Sequence, residues 1–287
     1  MGHVPIRNAL TVDVEDYFQV WAFSRHIPRD AWDSMPCRIE RNIDAILSLL
    51  EEHGAHATYF TLGWIAERYP LVVRRIVAAG HELASHGYAH LKVSEQTPEA
   101  FRQDITRAKK LLEDVAGVEV KGYRAPSFSI GRGNLWALQY LRRAGYCYSS
   151  SVYPVRHDHY GMPDAPRFAF YPDGAEGLLE LPVTTVTIFR RNIPAGGGGY
   201  FRLFPYSMSR WCLKRVNAVE HRPCVFYFHP WEIDPDQPRQ KGIGLKTRFR
   251  HYVNLSVMER RLRALCRDFE WDRMDRLFLD KDEPARV

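Results

Sequence analysis

At 287 residues, 45% of them hydrophobic and 26% charged, the chain is long enough to bury a core, and its composition is that of a folded globular protein rather than a disordered or fibrous one. Its formal charge of +6 comes from scattered arginines, and Arg142-Arg143 and Arg260-Arg261 read as solvated helix faces, so nucleic acid is not expected as a partner. Five cysteines with no C-x-x-C spacing argue against a disulfide framework or a zinc knuckle and for buried thiols in a reducing cytoplasm.

Met1 to Asn8 lacks an apolar leader core, and no run approaches the ~18 apolar residues of a membrane span, so no integral membrane segment is expected. The first strand reads Ala9-Leu10-Thr11-Val12-Asp13-Val14 and runs into Asp13, Glu15 and Asp16. Alternation puts Asp13 and Glu15 on one face. Three acids this close repel one another, which suits either water or a bound cation.

From Cys37 to Gly54, Ile39, Ile43, Ile46 and Leu50 recur at helical spacing, and Ala57 to Thr61 makes a short β run. A second helical stretch after Pro70 carries Val72, Val73, Ile76 and Val77 to Gly80, and the run Glu82-Leu83-Ala84-Ser85 then delivers His86 at a strand end, with His90 returning after the break at Gly87. Thr97-Pro98-Glu99 opens the clearest helix, as N-cap, first-turn proline and acid; Phe101, Ile105, Ala108, Leu112 and Val115 line one face and Gly117 ends it. A strand follows with Tyr123, Arg124 and Pro126, then a helix with Leu135, Leu138 and Leu141, then Tyr146 to Val152. Further strands are expected over Leu178 to Ile188 and Cys224 to Phe228, the latter closing on His229-Pro230-Trp231-Glu232.

Gly196 to Gly199 is not a phosphate loop, since the Lys-Ser/Thr such a loop requires is absent; it reads as a mobile loop near a site or as a plain connector. The last helix starts at Ser256 with Glu259 three residues on, a capping-box signature, and Met258, Leu262, Leu265 and Phe269 dock it. Alternating strands and helices with short links predict a parallel sheet wrapped in helices. With no repeat or low-complexity linker, one domain is expected over 1–287: a motif-bearing barrel at about 9–231 and a C-terminal extension at about 232–287.

The acids at Asp13, the pair His86 and His90, Arg124 with Pro126, and His229 with Pro230 all fall at ends of successive strands. In a parallel β/α barrel those ends share the face where catalytic groups gather. Singly, each has a plainer reading: surface histidines, a structural ion pair for Arg124, a capped strand end for His229. Of the aromatic residues Trp231, Tyr123, Phe128, Tyr200 and Trp64, which could each offer a face to a sugar ring, Trp231 is favoured for its nearness to His229, with Tyr123 and Pro126 beside Arg124 as further substrate contacts.

In order along residues 9 to 231, Thr11-Val12-Asp13-Val14-Glu15-Asp16, Ser85-His86-Gly87-Tyr88-Ala89-His90, Arg124-Ala125-Pro126, Tyr148-Ser149-Ser150 and Phe228-His229 resemble the polysaccharide deacetylases of the NodB-homology group, carbohydrate esterase family four. The runs V-D-V-E-D-Y-F and F-H-P-W-E are most similar to a bacterial branch associated with extracellular polysaccharide loci. The resemblance implies a distorted, incomplete (β/α) barrel and a metal-dependent hydrolase that removes acetyl groups from N-acetylated sugar residues of a polysaccharide or oligosaccharide. It implies Asp13 as catalytic base, Arg124 as the arginine orienting it, His229 as general acid, and His86 and His90 as ligands of one divalent metal ion, zinc first. The family's second acid directly follows the base, where this chain has Val14. The metal carboxylate is therefore Glu15, which shares a face with Asp13, or else Asp16. Two rivals remain: a hydrolase of a small cyclic amide or ureide on the same fold, and a non-catalytic glycan-binding relative.

Overall fold

The computed structural model describes residues 6–157 and 160–279. Met1 to Pro5 of the N-terminal stretch and residues 280–287 of the C-terminal extension therefore lie outside the described residues. Eight short strands form one parallel sheet: β1 (Asn8–Val14), β2 (Thr58–Thr61), β3 (Glu82–Ser85), β4 (Gly122–Tyr123), β5 (Tyr148–Ser149), β6 (Leu179–Glu180) and, beyond a separate hairpin of β7 (Thr185–Ile188) and β8 (Arg191–Pro194), β9 (Val225–Phe228) and β10 (Trp271–Asp272). Strand β1 is central and buried throughout, pairing with β2 and β10 as well as with β9. From β1 the sheet runs through β2, β3, β4 and β5 to β6.

Among the described residues β6 and β9 share no ladder. Thr184 bridges to β9 there, its amide donating to the Val225 carbonyl at 3.1 Å and its hydroxyl accepting from the Val225 amide at 2.7 Å. The barrel is thus distorted and incomplete.

The helices that wrap it follow the apolar spacing of the sequence. They are α1 (Ile39–Glu52), α2 (Gly63–Arg68), α3 (Pro70–Ala78), α4 (Pro98–Ala116), α5 (Trp136–Arg143), α6 (Gly198–Leu203), α7 (Tyr206–Val219), α8 (Leu245–Tyr252), α9 (Leu255–Asp268) and α10 (Met274–Phe278). Helix α4 buries Phe101, Ile105, Ala108 and Leu112, each contact face residue contributing up to ~1.5–3 kcal/mol for a large side chain. Thr97 Oγ1 accepts from the Ala100 amide at 3.2 Å to cap it, and Gly117 ends it at φ 69°.

Three sequence expectations are corrected. The single strand expected over Leu178 to Ile188 breaks after Glu180, where Pro182 has no amide to donate, and its second half turns into the β7–β8 hairpin. Ser256 does not cap the helix expected there, nor is that helix the last: α9 begins one residue earlier, after Asn254 in the left-handed region at φ 53°, with no side-chain cap, and α10 follows it. The four glycines are neither a mobile loop nor a plain connector. Gly196 lies against the Val225 carbonyl and Gly198 opens α6 against the Glu232 carboxylate, so close that a Cβ at either would collide with its neighbour. The C-terminal extension is also more than an appendage, since β10 adds to the edge of β1 and α9 buries Met258, Leu262 and Leu265.

Register decides where the site forms. Val14 lies opposite Thr61, Thr61 opposite Ser85, Ser85 opposite Tyr123, and Tyr123 opposite Ser149. On the other side Val12 pairs with Phe228. The residues that follow these strand ends, Glu15, His86, Arg124, Ser150 and His229, therefore emerge on one face of the barrel.

Candidate metal and acid–base site

The three acids at the end of β1 and just beyond it are all buried, which rules out a solvated junction, and each has its own partner. Asp13 Oδ1 accepts from Arg124 Nη1 at 2.6 Å. The Arg124 guanidinium is wholly buried; it also donates to Thr11 Oγ1 at 2.8 Å, to the Ser150 carbonyl at 3.1 Å and to Ser150 Oγ at 2.8 Å, and stands 4.1 Å from the centre of the Phe60 ring. Four acceptors and an aromatic face fix the guanidinium, and through it one oxygen of Asp13.

Glu15 turns instead toward the histidines. One ligand atom each from Glu15, His86 and His90 lies within 4.8 Å of the others, all three residues buried. His86 Nδ1 stands 2.8 Å from the Arg124 carbonyl, which can only accept, so the proton sits on Nδ1 and the Nε2 lone pair is left for a cation. Burial holds this imidazole down at about 4, against the pull of the Asp13 and Glu15 carboxylates, so it is neutral at ordinary pH. His90 is placed by a backbone in the left-handed region, φ 53°, following Gly87 at φ 75°, and Arg29 fastens the loop from outside by donating to the Ala89 and His90 carbonyls at 2.7 and 3.2 Å. His90 Nε2 lies 2.8 Å from Glu15 Oε2, yet that oxygen receives no aligned N–H. A buried carboxylate oxygen and two imidazole nitrogens brought this close fit a shared cation, and two imidazoles with one carboxylate are a donor set for zinc that leaves a coordination position open. Burial would raise the Glu15 carboxyl; the imidazoles of His90, His229 and His86 outweigh it and hold it at about 2.

Asp16 is not in this group, which corrects the alternate metal ligand. Its Oδ1 accepts from the Tyr17 amide at 2.7 Å and its Oδ2 from the Arg38 amide, tying the end of β1 to the start of α1. Burial raises its pKa.

His229 is held from below by the 3₁₀ turn Pro230–Ile233, a reciprocal cap with Glu232. Glu232 Oε2 accepts from the His229 amide at 2.9 Å and lies 3.2 Å from Nδ1, while Oε1 accepts from Arg202 Nε at 2.8 Å. Arg202 is 1% exposed and also donates to the carbonyls of His251 and Val253 at 3.0 and 2.6 Å. Burial would lower His229; Glu15 and Glu232, with Asp13 further off, push it up to about 9, so the imidazole is cationic at neutral pH. Its Nε2 lies 3.5 Å from Glu15 Oε1, so it faces the cluster of Glu15, His86 and His90.

The proposed substrate contacts fare less well. Tyr123 is fully buried, its ring packed on Phe101 and Tyr146, and Pro126 is buried behind the wall; Ser127 and Phe128 reach the cavity instead. Trp231 does line the cavity, but the imidazoles of His229 and His251 stack on it at 5.2 and 4.2 Å, leaving it 6% exposed, and its Nε1 points to Glu15 Oε1 at 3.4 Å. It braces Glu15 rather than offering a face to a sugar. Trp64 is a core residue against Phe18 and Trp32, and Tyr200 stacks on Phe204. Among the other aromatic residues at the cavity wall, Phe128, Tyr160 and Tyr227 included, Trp21 lies beneath Lys92 Nζ at 3.2 Å from its centre. Sequence reasoning missed Trp21, Arg202, His251 and the part of Glu232; only Glu232 carried a signal, as an acid three residues after His229 beyond a proline.

Residues 31–149 match the polysaccharide deacetylase family, and residues 150–279 match a domain of unknown function, DUF3473. The first matched segment contributes His86, His90 and Arg124, whereas Asp13 and Glu15 precede it and His229, Glu232 and Arg202 come from the second. The chain is 34% identical over 95 residues to a peptidoglycan-N-acetylglucosamine deacetylase of Bacillus cereus, covering 33% of this chain and 34% of that protein. It is 34% identical over 83 residues to a chitooligosaccharide deacetylase of Azorhizobium caulinodans, covering 29% and 40%. The aligned part thus spans between a third and two fifths of these relatives. Among solved structures, a polysaccharide deacetylase from Mycobacterium smegmatis has the same fold, with TM-score 0.59 at 19% identity over 96% of this chain and 92% of that one.

Proposed function

We propose that this chain is a metal-dependent hydrolase that removes acetyl groups from N-acetylated sugar residues of a polysaccharide or oligosaccharide. The observation that carries it is the convergence, at one barrel end, of the Glu15, His86 and His90 cluster with a carboxylate fixed by arginine on one side and a cationic imidazole on the other. Glu15, His86 and His90 would hold a divalent ion, zinc first, which supplies Lewis-acid polarisation of the acetyl carbonyl and of water. Asp13, with Oδ1 occupied by Arg124, keeps its other oxygen to take a proton from the attacking water. His229 carries the proton that the leaving amine needs, and the Glu232 carboxylate keeps the imidazole charged and its Nδ1 side anchored, so that Nε2 faces the reacting group.

The small cyclic amide reading has no use for the buried Glu15–His86–His90 cluster, and the glycan-binding reading has none for a charged His229 opposite Asp13. The reach of the activity into extracellular polysaccharide synthesis belongs to the same proposal. So does a reducing compartment such as the cytoplasm, which the five unpaired cysteines support. We also propose that the chain works as one domain, since groups from both ends of it meet in the site. The test is acetate release from N-acetylated and O-acetylated oligosaccharides with and without chelator, alongside metal analysis of the purified protein. Activity that survives full metal removal would exclude the reading.

A further inference from the structure

Helix α8, in the C-terminal extension, turns one face inward and leaves the other bare. His251 is buried and Tyr252 half-buried, whereas Leu245 is 86% and Phe249 57% exposed. These two stand four residues apart, one turn along the same face, with Lys246 and Arg248 to either side of them. The surroundings are cationic: Arg239, Lys241, Lys246, Arg248 and Arg250 follow one another closely, and no acid stands in the sequence between Asp236 and Glu259. Arg239 is engaged within the protein, donating to the Pro235 carbonyl at 3.2 Å and lying 4.3 Å over the Tyr252 ring, and Lys246 and Arg250 have partners as well. Among the described residues the exposed side chains of Lys241 and Arg248 make no hydrogen bond or ion pair. A lone exposed apolar residue is ordinary; an apolar pair one turn apart between cations is the pattern of a helix that lies in the interface of a bilayer.

We propose that α8 docks this protein on the surface of an anionic lipid bilayer, with Leu245 and Phe249 entering the headgroup boundary and Lys241 and Arg248 meeting lipid phosphates. The size of the apolar pair favours lipid over a protein partner. A leucine and a phenylalanine expose at most roughly 300–400 Å² between them, whereas a stable protein interface needs about 800 Å² from each partner. A bilayer asks for less, since it is fluid and moulds around two side chains while its headgroups supply the counter-charge, worth about fivefold in affinity for each Lys or Arg near the surface. No helix of the described residues is long and apolar enough to cross a membrane, so the attachment is peripheral. Helix α8 also lends Thr247 and Arg250 to the lining of the site cavity, so docking would hold that opening close to the lipid surface. The contact is independent of the reaction the site performs.

The test is co-sedimentation of the full chain with vesicles of phosphatidylcholine alone or mixed with phosphatidylglycerol. Binding to the anionic vesicles is expected to be at least about tenfold tighter than to the neutral ones at low ionic strength, and to weaken as salt is added. Lys241→Gln with Arg248→Gln should cost about tenfold or more of that affinity, and Leu245→Ser with Phe249→Ser a similar factor. All four side chains are exposed, so both double variants should keep the fold, which circular dichroism checks. Phe249→Trp reports insertion directly: its emission should shift to the blue on anionic vesicles relative to the parent chain. Absence of binding to anionic vesicles overturns the proposal, as does equal binding to anionic and neutral ones. Undiminished binding by the serine variant, with no blue shift in Phe249→Trp, would leave plain charge attraction and overturns docking by α8. A dimer of the parent chain in analytical ultracentrifugation that the serine variant dissolves would assign the apolar pair to a second copy and overturns it too.

Discussion

The backbone of Gly198 lies so close to the Glu232 carboxylate that a Cβ on it would stand 2.1 Å from Oε2. Glu232 cannot retreat, because Arg202, the His229 amide and His229 Nδ1 already hold its two oxygens inside the protein. Gly198→Ala is therefore expected to push the carboxylate off His229 rather than simply to crowd a loop. Turnover should fall by about tenfold or more, as a group misplaced by roughly an ångström can cost up to ~10²-fold, while metal content stays unchanged. Circular dichroism and elemental analysis on the variant, beside its kcat, check this; an unaltered kcat would mean that Glu232 does not govern the imidazole.

Glu232 also sets a pH dependence whose sign can be worked out. His229 would act as an acid only when protonated; burial lowers its pKa and, with a cation on Glu15, Glu232 is the neighbouring carboxylate left to raise it, so activity is expected to fall as pH rises through the pKa that Glu232 sets. Glu232→Gln removes one of the carboxylates that favour the charged form and leaves burial, which opposes it, in place. The alkaline limb of the kcat profile should shift to lower pH, toward the ordinary histidine range near ~6.5. A limb that stays put would assign it to a different group.

Glu15 and Asp16 should separate cleanly. Glu15→Gln leaves the shape but removes a charged ligand atom, so metal affinity should drop by at least about tenfold in a competition titration. Asp16→Asn should leave metal affinity alone and lower the unfolding free energy by ~1–3 kcal/mol. Both Asp16 oxygens accept from backbone amides, and an asparagine must present its NH₂ to one of them. Loss of metal in Asp16→Asn without loss of stability would reverse the assignment.

Arg124 carries a prediction about the base. Lysine has three donors and no planar fork, so Arg124→Lys cannot reproduce the contacts to Asp13, Thr11 and Ser150 and should lower kcat by about 10²-fold through Asp13 orientation. Arg124→Met goes further, leaving a buried carboxylate unpaired at a cost of about 3–5 kcal/mol. Thermal melts distinguish the two: the lysine variant should fold close to normally, and the methionine variant should not.

Much of the frame was legible because each strand is short, apolar and followed by a functional residue. His86 ends Glu82-Leu83-Ala84-Ser85, and His229 ends Val225-Phe226-Tyr227-Phe228, so parallel register alone brings them together. Side-chain alternation also places Glu15 rather than Asp16 toward the histidines. The β7–β8 hairpin was not legible, since its turn puts Phe189 and Arg190 at φ 48° and 63°, where Asn-Gly is the usual signal and no local pattern marks these two residues. Nor could the sequence show that Tyr123 points into the core, because a two-residue strand gives no alternation to read. Arg202 was hidden for a different reason: an arginine after four glycines reads as solvated, and only tertiary packing brings Glu232 and three backbone carbonyls around it.

The last expectation separates proton delivery from binding. In the proposed reaction His229 gives its proton only as the carbon–nitrogen bond breaks, so His229→Ala would remove an interaction made in the transition state and should lower kcat by ~10²–10⁴-fold with KM nearly unchanged. Metal content should be kept, since His229 Nε2 lies 3.5 Å from Glu15 Oε1 while His86 and His90 are the proposed nitrogen ligands. An ester substrate sharpens the point: an alkoxide leaves with less need of a proton than an amine does, so the loss should be smaller on an O-acetylated sugar than on its N-acetylated counterpart. Equal losses on ester and amide would show that His229 stabilises charge in the addition step instead, and release of metal by the variant would make it a ligand.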